Sequence, residues 1–474
     1  MRIFNQYNII GGALLIASLS LASCEKRLEI NPDPSFGISP EEAIKSEEDM
    51  QKLLNSCYDA CANMMNGQLQ VIGDLLTDDV TRPTNNEPFI TAIYNRASDQ
   101  FNGVSGGAYS EPYFTIYRVN VMDLYYDQIS IAEANKNRLQ GEAAFLRALC
   151  HFETVKLWAQ PAGFTSDNSH LGIIERVRAK NEVIQRKSVG SNYNLIINDL
   201  NKAINLLPEN NGVYANKKAA KALLAKVYFN MGNYPASLTL LDEVIASGYV
   251  LSDSLNRFKR SDVESEIVFG FISTGSLYDI NTRSSTYKSI YRNDILSGEQ
   301  LPILGISNEL ATIMTGDSTD MRKNFVKKLF VGTPKEFAMT TKFNMNDFAT
   351  PYLTLTDLLL MRAEIHAING NTASAAQDLL PIIKRAYKPS TAKEAFVSSL
   401  SANALLEEIR LQRRIEMHCE GDRLAHVKRI GVSKGAGALK VRGVNWDCNG
   451  MVLQFPSASG TIRGFVFNPG GGCN

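Results

Sequence analysis

The chain has 474 residues, 44% of them hydrophobic and 21% charged, a balance that excludes a disordered or collagen-like chain and supplies apolar material for a sizeable core. Lys+Arg and Asp+Glu both number 49, and no window carries a clustered positive excess. Nucleic acid is therefore excluded as an expected partner, because counterion release needs such a cluster, and a polybasic membrane patch is excluded for the same reason.

The first segment reads as an export signal. Arg2 precedes an apolar run at residues 9–21, too short for the roughly 20 residues that cross a bilayer as a helix. Leu21-Ala22-Ser23-Cys24 follows, an apolar residue and two small ones before a cysteine. Residues 1–23 therefore read as a lipoprotein signal peptide and Cys24 as the lipidated first residue. At about 0.8 kcal/mol per buried methylene, two or three acyl chains hold a protein on a membrane without a spanning helix. Residues 24–40, polar and proline-rich, read as a tether. The other six cysteines permit disulfides in an exported protein. Cys57, Cys61, Cys150 and Cys419 fall in helical patterns as buried thiols, and Cys448 with Cys473 is the expected pair.

Beyond the tether the dominant signal is helical periodicity. Helices are expected over residues 41–65, after Pro40, and over 113–131 and 136–158. From Tyr193 to Leu207 apolar residues recur at steps of three and four until Pro208 stops the helix. A second helix over 217–231 ends at Gly232-Asn233, and a third starts at Pro235. The unit recurs at an offset of 138: Ala225 falls on Ala363, Val227 on Ile365, Gly232-Asn233 on Gly370-Asn371, and Leu241 on Leu379. Such a repeat is the pattern of tetratricopeptide-like helical hairpins, which hide their apolar stripes only by stacking. The expected architecture is mainly α, a single domain over 41–474 with helical-repeat parts at about 41–250 and 351–430. Loop-rich insertions with a few short strands, such as residues 267–272, occupy about 66–112, 251–350 and 431–474.

Ordered blocks along the chain resemble the SusD/RagB-like outer-membrane lipoproteins. They are Tyr117-Arg118-Val119-Asn120, Gly141-Glu142-Ala143-Ala144-Phe145-Leu146-Arg147-Ala148, Asp199-Leu200-Asn201-Lys202-Ala203-Ile204, Arg362-Ala363-Glu364 and, most specific, Arg413-Arg414-Ile415-Glu416-Met417-His418-Cys419-Glu420-Gly421-Asp422-Arg423. The resemblance implies a SusD-like α/α superhelix and a non-enzymatic nutrient receptor without cofactor. It also implies an anchor in the outer membrane, facing the cell surface, with a SusC-like TonB-dependent transporter as partner and an oligosaccharide as ligand. A helical-repeat scaffold of the envelope, or a receptor for peptides, is the alternative.

No catalytic motif accompanies these blocks: there is no Gly-x-Ser-x-Gly elbow, no phosphate loop and no His-Glu-x-x-His. His418-Cys419-Glu420 with His426 invites a metal reading, but the adjacent pair cannot face one ion from one side of a helix. Arg414, Glu416 and Arg423 are expected instead to satisfy one another as a buried ionic cluster. A sugar site needs rings to stack on C–H faces and polar groups for hydroxyls. The candidates are Arg96, Phe101, Asn102 and Tyr109 in one window, Tyr278, Tyr287, Tyr291 and Arg292 in another, and Trp446 near the C-terminus.

Overall fold

In the computed structural model, which describes residues 39–180, 182–258, 265–271, 285–292, 301–345 and 348–473, the first expected helix divides at a serine. The signal peptide, Cys24 and residues 25–38 of the tether lie outside the described residues. Ser39 caps α1 (Pro40–Ala43) and Ser46 caps α2 (Glu47–Met64), each hydroxyl accepting an amide three residues on, at 3.3 and 3.2 Å. Helices α3 (Gln68–Leu75), α4 (Pro88–Tyr94), α5 (Gly103–Tyr125) and α6 (Glu133–Trp158) follow.

The expected loop-rich insertion at 66–112 is thus largely helical. Every residue of α3 from Leu69 to Leu75 is buried, so it has no polar face to reveal a 3.6-residue period. The start of α5 is disguised by Gly103, Gly106, Gly107 and Pro112, yet Asn102 caps it by accepting the Ser105 amide at 3.0 Å.

The repeat is realised as α7 (Val189–Leu206), α8 (Lys217–Asn230) and α9 (Tyr234–Ile245), then, past α10 (Ser285–Tyr291) and α11 (Asn308–Thr315), as α12 (Leu355–Ile368) and α13 (Thr372–Ala386). Ala225, Ala363, Val227, Ile365, Leu241 and Leu379 are fully buried, and α9 packs on α12, so the two hairpins stack. Their turns superpose in detail. Gly232 and Gly370 have φ of 75° and 78°, and the amides of Asn233 and Asn371 donate to Tyr228 and His366 carbonyls at 2.9 and 2.8 Å. A Cβ on Gly370 meets nothing within 4 Å, so the left-handed backbone alone sets the cost of replacing it. Gly370→Ala is expected to lower unfolding free energy by about 1–2 kcal/mol, and Gly370→Asn by less, in urea titrations.

Helices α14 (Thr391–Ser399), α15 (Ala402–Glu416) and α16 (Asp422–Lys434) complete the frame, with α15 against α12. Four two-stranded antiparallel sheets join it: β1 (Leu171–Ile174) with β2 (Arg186–Ser188), β3 (Ile267–Phe271) with β6 (Thr350–Thr354), β4 (Val326–Leu329) with β5 (Phe337–Thr340), and β7 (Lys440–Val441) with β8 (Val444–Asn445). The β3–β6 pair closes the base of the 251–350 insertion. Thr354 then caps α12, accepting the Asp357 amide at 3.3 Å, so the insertion returns straight into the helical frame.

Within the ionic Arg413–Arg423 block Arg413 meets Asp422 at 2.6 Å, but Arg414, Glu416 and Arg423 do not pair with one another as expected. Positions 414 and 416 point to different sides of α15, because residues two apart on a helix do not share a face. Glu416 accepts from Arg257, Arg322 and Arg385, each at 3.0 Å. Arg414 reaches Asp79 at 2.7 Å and Glu309 at 2.8 Å, and Arg423 reaches Asp78 at 2.8 Å. His418 is buried with Nδ1 at 2.7 Å from the Ile415 carbonyl and Nε2 at 3.2 Å from Thr340 Oγ1.

Candidate functional site

Two helix ends create the site. The carbonyls at the C-terminus of a helix lack intrahelical partners. Here two guanidiniums supply them: Arg96 Nε donates to the Leu76 carbonyl at 2.9 Å, just past α3, and Arg442 Nη2 donates to the Leu75 and Tyr94 carbonyls at 2.9 and 2.6 Å. Arg442 also lies over the Tyr94 ring, 3.8 Å from its centroid. It stands in the tight turn between β7 and β8 at φ 46°, and Arg96 follows α4 at φ 57°. Burial, then the charge of Arg442, lowers the Arg96 guanidinium to about 10, and burial lowers Arg442 as well.

Open pockets lie on either side of residues 94–96. The first, of 580 Å³, is lined by Asp78, Arg82, Tyr94, Glu309, Glu336 and Arg442 among others, with exposed Lys440 at its edge. The second, of 560 Å³, is lined by residues 95–101, Asn449, Gln454, Phe467 and the tail 469–473. Both are large enough for sugar rings and combine side-chain amides, carboxylates and guanidiniums with aromatic faces. A third cavity, beside Glu153, Lys226, Arg413 and His426 in the helical frame, measures 60 Å³ and suits water only.

The tail that walls the second pocket is tied down. Cys448 and Cys473 are bonded, as the sequence suggested, the Gly450 amide meets the Gly472 carbonyl at 2.9 Å, and Asn468 donates to the Trp158 and Leu453 carbonyls at 2.8 Å each. Replacing both cysteines by serine is expected to cost about 3 kcal/mol, the value for a loop of this length, read as a lower midpoint in urea.

Of the candidates from sequence, Arg96 and Phe101 line the second pocket, and Phe101 stands 68% exposed. Asn102, Tyr109, Tyr287, Tyr291 and Trp446 line neither of these two pockets. Tyr287 and Tyr291 are fully buried, their rings 4.5 and 5.5 Å from Phe343, and the Tyr291 hydroxyl donates to Asp74 at 3.1 Å. Tyr109 packs on Trp158 and Phe455, Asn102 is spent on the α5 cap, and Trp446 lies under α16, where a Cβ on Gly431 would come within 2.2 Å of its ring. The shared reason is physical: a large ring in an irregular segment anchors that segment by burial. Arg292 is half-buried and lines neither pocket, and Tyr278 lies outside the described residues.

The residues missed are Arg82, Tyr94, Glu309, Glu336, Lys440 and Arg442. They come from five separate segments, and only folding brings them together. The segment 431–474 reads as loop-rich, but nothing in it announces a guanidinium stacked on a tyrosine 348 residues away. Among the described residues there is no group of three or more His, Cys, Asp or Glu placed to hold a metal. No helix there is long and apolar enough to cross a membrane.

Comparison with known proteins places this geometry. Residues 27–229 match a family model described as starch-binding and associating with the outer membrane, and residues 310–454 match a model of the SusD family. A SusD-like protein of Formosa agariphila is 29% identical over 256 residues, 50% of this chain and 46% of that protein, so the match spans about half the length of this curated relative. A SusD superfamily crystal structure from Bacteroides thetaiotaomicron has a TM-score of 0.77 at 19% identity, covering 90% of this chain and 100% of the other. One from Bacteroides vulgatus gives 0.75 at 20%, covering 90% and 99%. A laminarin-binding SusD-like protein gives 0.72 at 20%, covering 90% and 100%.

Proposed function

This chain belongs to the SusD family, and from that premise we propose that it is a non-catalytic lipoprotein that binds an oligosaccharide at the outer-membrane surface and hands it to a SusC-like TonB-dependent transporter. The observation that carries the reading is the pair of pockets lined by the successive residues Tyr94, Asn95 and Arg96, where side-chain amides and guanidiniums accompany the Tyr94 and Phe101 rings. Such a surface can stack a sugar and bond its hydroxyls, and it needs no nucleophile or cofactor to do so. The laminarin-binding neighbour makes oligosaccharides the first ligands to try. Cys24 supplies the anchor in this reading, Arg96 holds the junction between the pockets, and Phe101 offers the free ring.

Calorimetric titration of the folded chain with an oligosaccharide panel, and affinity capture of the full-length protein from envelopes, test it. Binding of at least one glycan and recovery of a large barrel are expected. Phe101→Ala should weaken glycan binding about fivefold, the worth of one stacking contact of about 1 kcal/mol. A protein that bound no sugar and recovered no barrel would be an envelope scaffold instead, and one that bound only peptides would keep the receptor role with a different cargo.

A further inference from the structure

The first pocket is unevenly charged once each ion is followed to its partner. Its carboxylates are all engaged: Asp78 with Arg423 at 2.8 Å and Arg414 at 3.4 Å, Glu309 with Arg414 at 2.8 Å, and Glu336 with Lys328 at 3.4 Å. The cations that satisfy them stand outside the pocket lining. The pocket's own cations are different. Among the described residues Arg82, Lys440 and Arg442 meet no carboxylate within 4.0 Å, and neither does Arg96 beside them. Arg96 and Arg442 donate to main-chain carbonyls, and Arg96 Nη2 and Arg442 Nε and Nη1 are buried without an acceptor.

A buried and a half-buried guanidinium side by side, with no carboxylate in contact and only the more distant charge of Asp78 to offset them, are costly unless something anionic visits. They set up a positive field behind the pocket, and the exposed Arg82 and Lys440 stand at its opening. The second pocket differs, because Asp99 lines it, its carboxylate accepting the Phe101 amide at 2.9 Å.

We propose that the first pocket receives an oxyanion carried on a glycan, the carboxylate of a uronic acid or a sulfate ester, with Arg82, Lys440 and Arg442 as its cationic wall, while a neutral ring of the same chain lies against Phe101 in the second pocket. Guanidinium binds carboxylate and sulfate through charge-assisted hydrogen bonds, which are about twice as strong as neutral ones and weaken with salt where exposed. This inference rests on the reading of the protein as a glycan receptor, and narrows its ligand class.

The test is calorimetric titration of the wild-type chain at low and high salt with three probes: oligogalacturonate, a sulfated galactan oligosaccharide and neutral laminarin oligosaccharide. One anionic glycan is expected to bind at least about tenfold tighter than the neutral one, with affinity falling as salt rises. In Arg82→Ala/Lys440→Ala that preference should collapse to within about twofold, and Arg82→Lys/Lys440→Arg should keep it. Which anionic arm binds tells carboxylate from sulfate. If laminarin binds as well as both anionic probes, or the double alanine variant keeps the preference, the inference falls and the glycan receptor stands. If polyglutamate matches the anionic glycans, the attraction is to charge without sugar and the inference also falls. If no carbohydrate binds at all, the receptor reading itself is lost.

Discussion

Replacing Glu416 by glutamine is expected to remove about 3–5 kcal/mol of folding stability, the loss associated with breaking a buried ionic cluster on one side. The interior around Glu416 is electrically balanced: Arg257, Arg322, Arg385 and Lys342 face Glu416, Glu420, Asp320 and Glu266, and every one of the eight side chains is buried. Glu416 alone touches three of the guanidiniums, so its neutral amide leaves one uncompensated positive charge in a medium that solvates charge poorly. Burial by itself would raise this carboxyl, yet Arg385, Arg322, Arg257 and Lys342 outweigh it and hold the group at about 2. Urea unfolding of Glu416→Gln against wild type measures the cost, and Glu407→Gln, on an exposed pair with Arg410, is the control expected to lose less than about 1 kcal/mol. A loss below about 1 kcal/mol at Glu416 would mean that the cluster rearranges around the missing charge.

That cluster also explains why the family blocks were readable while the site was not. The Arg413–Arg423 block, Arg147 with Asp199, and Glu364 with Arg429 hold helix to helix, so their residue types are dictated by the frame. The stacked hairpins were legible for a related reason. Helices α7, α9 and α13 each have one buried stripe and one wet face, and Gly-Asn turns at positive φ divide α8 from α9 and α12 from α13. Periodicity sees such helices, but it does not see α3, buried on all sides, or α5, whose first turns carry three glycines and a proline.

The pockets follow the opposite logic. Arg442 acquires its meaning from a carbonyl and a ring far away in sequence, and Arg82 and Lys440 reach the same pocket only through folding, so no local window contains the relation. The search for exposed rings favoured tyrosines in segments read as irregular, and several of those rings are buried instead. Tyr287 and Tyr291 are the clearest cases, since with Ile290 and the bonds between Asn66 and Ser285 and Thr286 they hold the short helix α10 down. Pairing of Cys448 with Cys473 was easier, because the four remaining thiols all sit buried and unbonded.

Stability is expected to fall by several kcal/mol as pH drops from 6.5 to 4, and buried histidines carry the loss, His151 and His426 together with His418, which burial also holds well below its ordinary value. His151 lies in α6 with Nδ1 at 3.0 Å from the Arg147 carbonyl and Nε2 without a partner, and His426 lies in α16 near Arg429 and Arg423. Burial, reinforced by the neighbouring arginines against Asp199 and Glu364, lowers His151 to about 4 and His426 to about 3. The unfolded chain takes up these protons near 6.5, while the folded protein refuses them until pH 4 or below. The unfolded state therefore binds more protons across this window, and stability falls with pH. At about 1.4 kcal/mol for each unit of displacement, each histidine contributes roughly 3–5 kcal/mol when its window is fully crossed. Asp74 acts in the opposite sense, since burial, then the charge of Asp79, raises its carboxyl well above the usual range, so the folded state binds its proton first. The comparison that isolates His151 and His426 is wild type against His151→Gln/His426→Gln, because Asp74 and His418 are common to both. Urea titrations at pH 6.5, 5.5 and 4.5 should give a wild-type midpoint that falls steadily and a double-variant midpoint that falls less steeply. Equal slopes for the two proteins would move the origin of the acid loss away from His151 and His426.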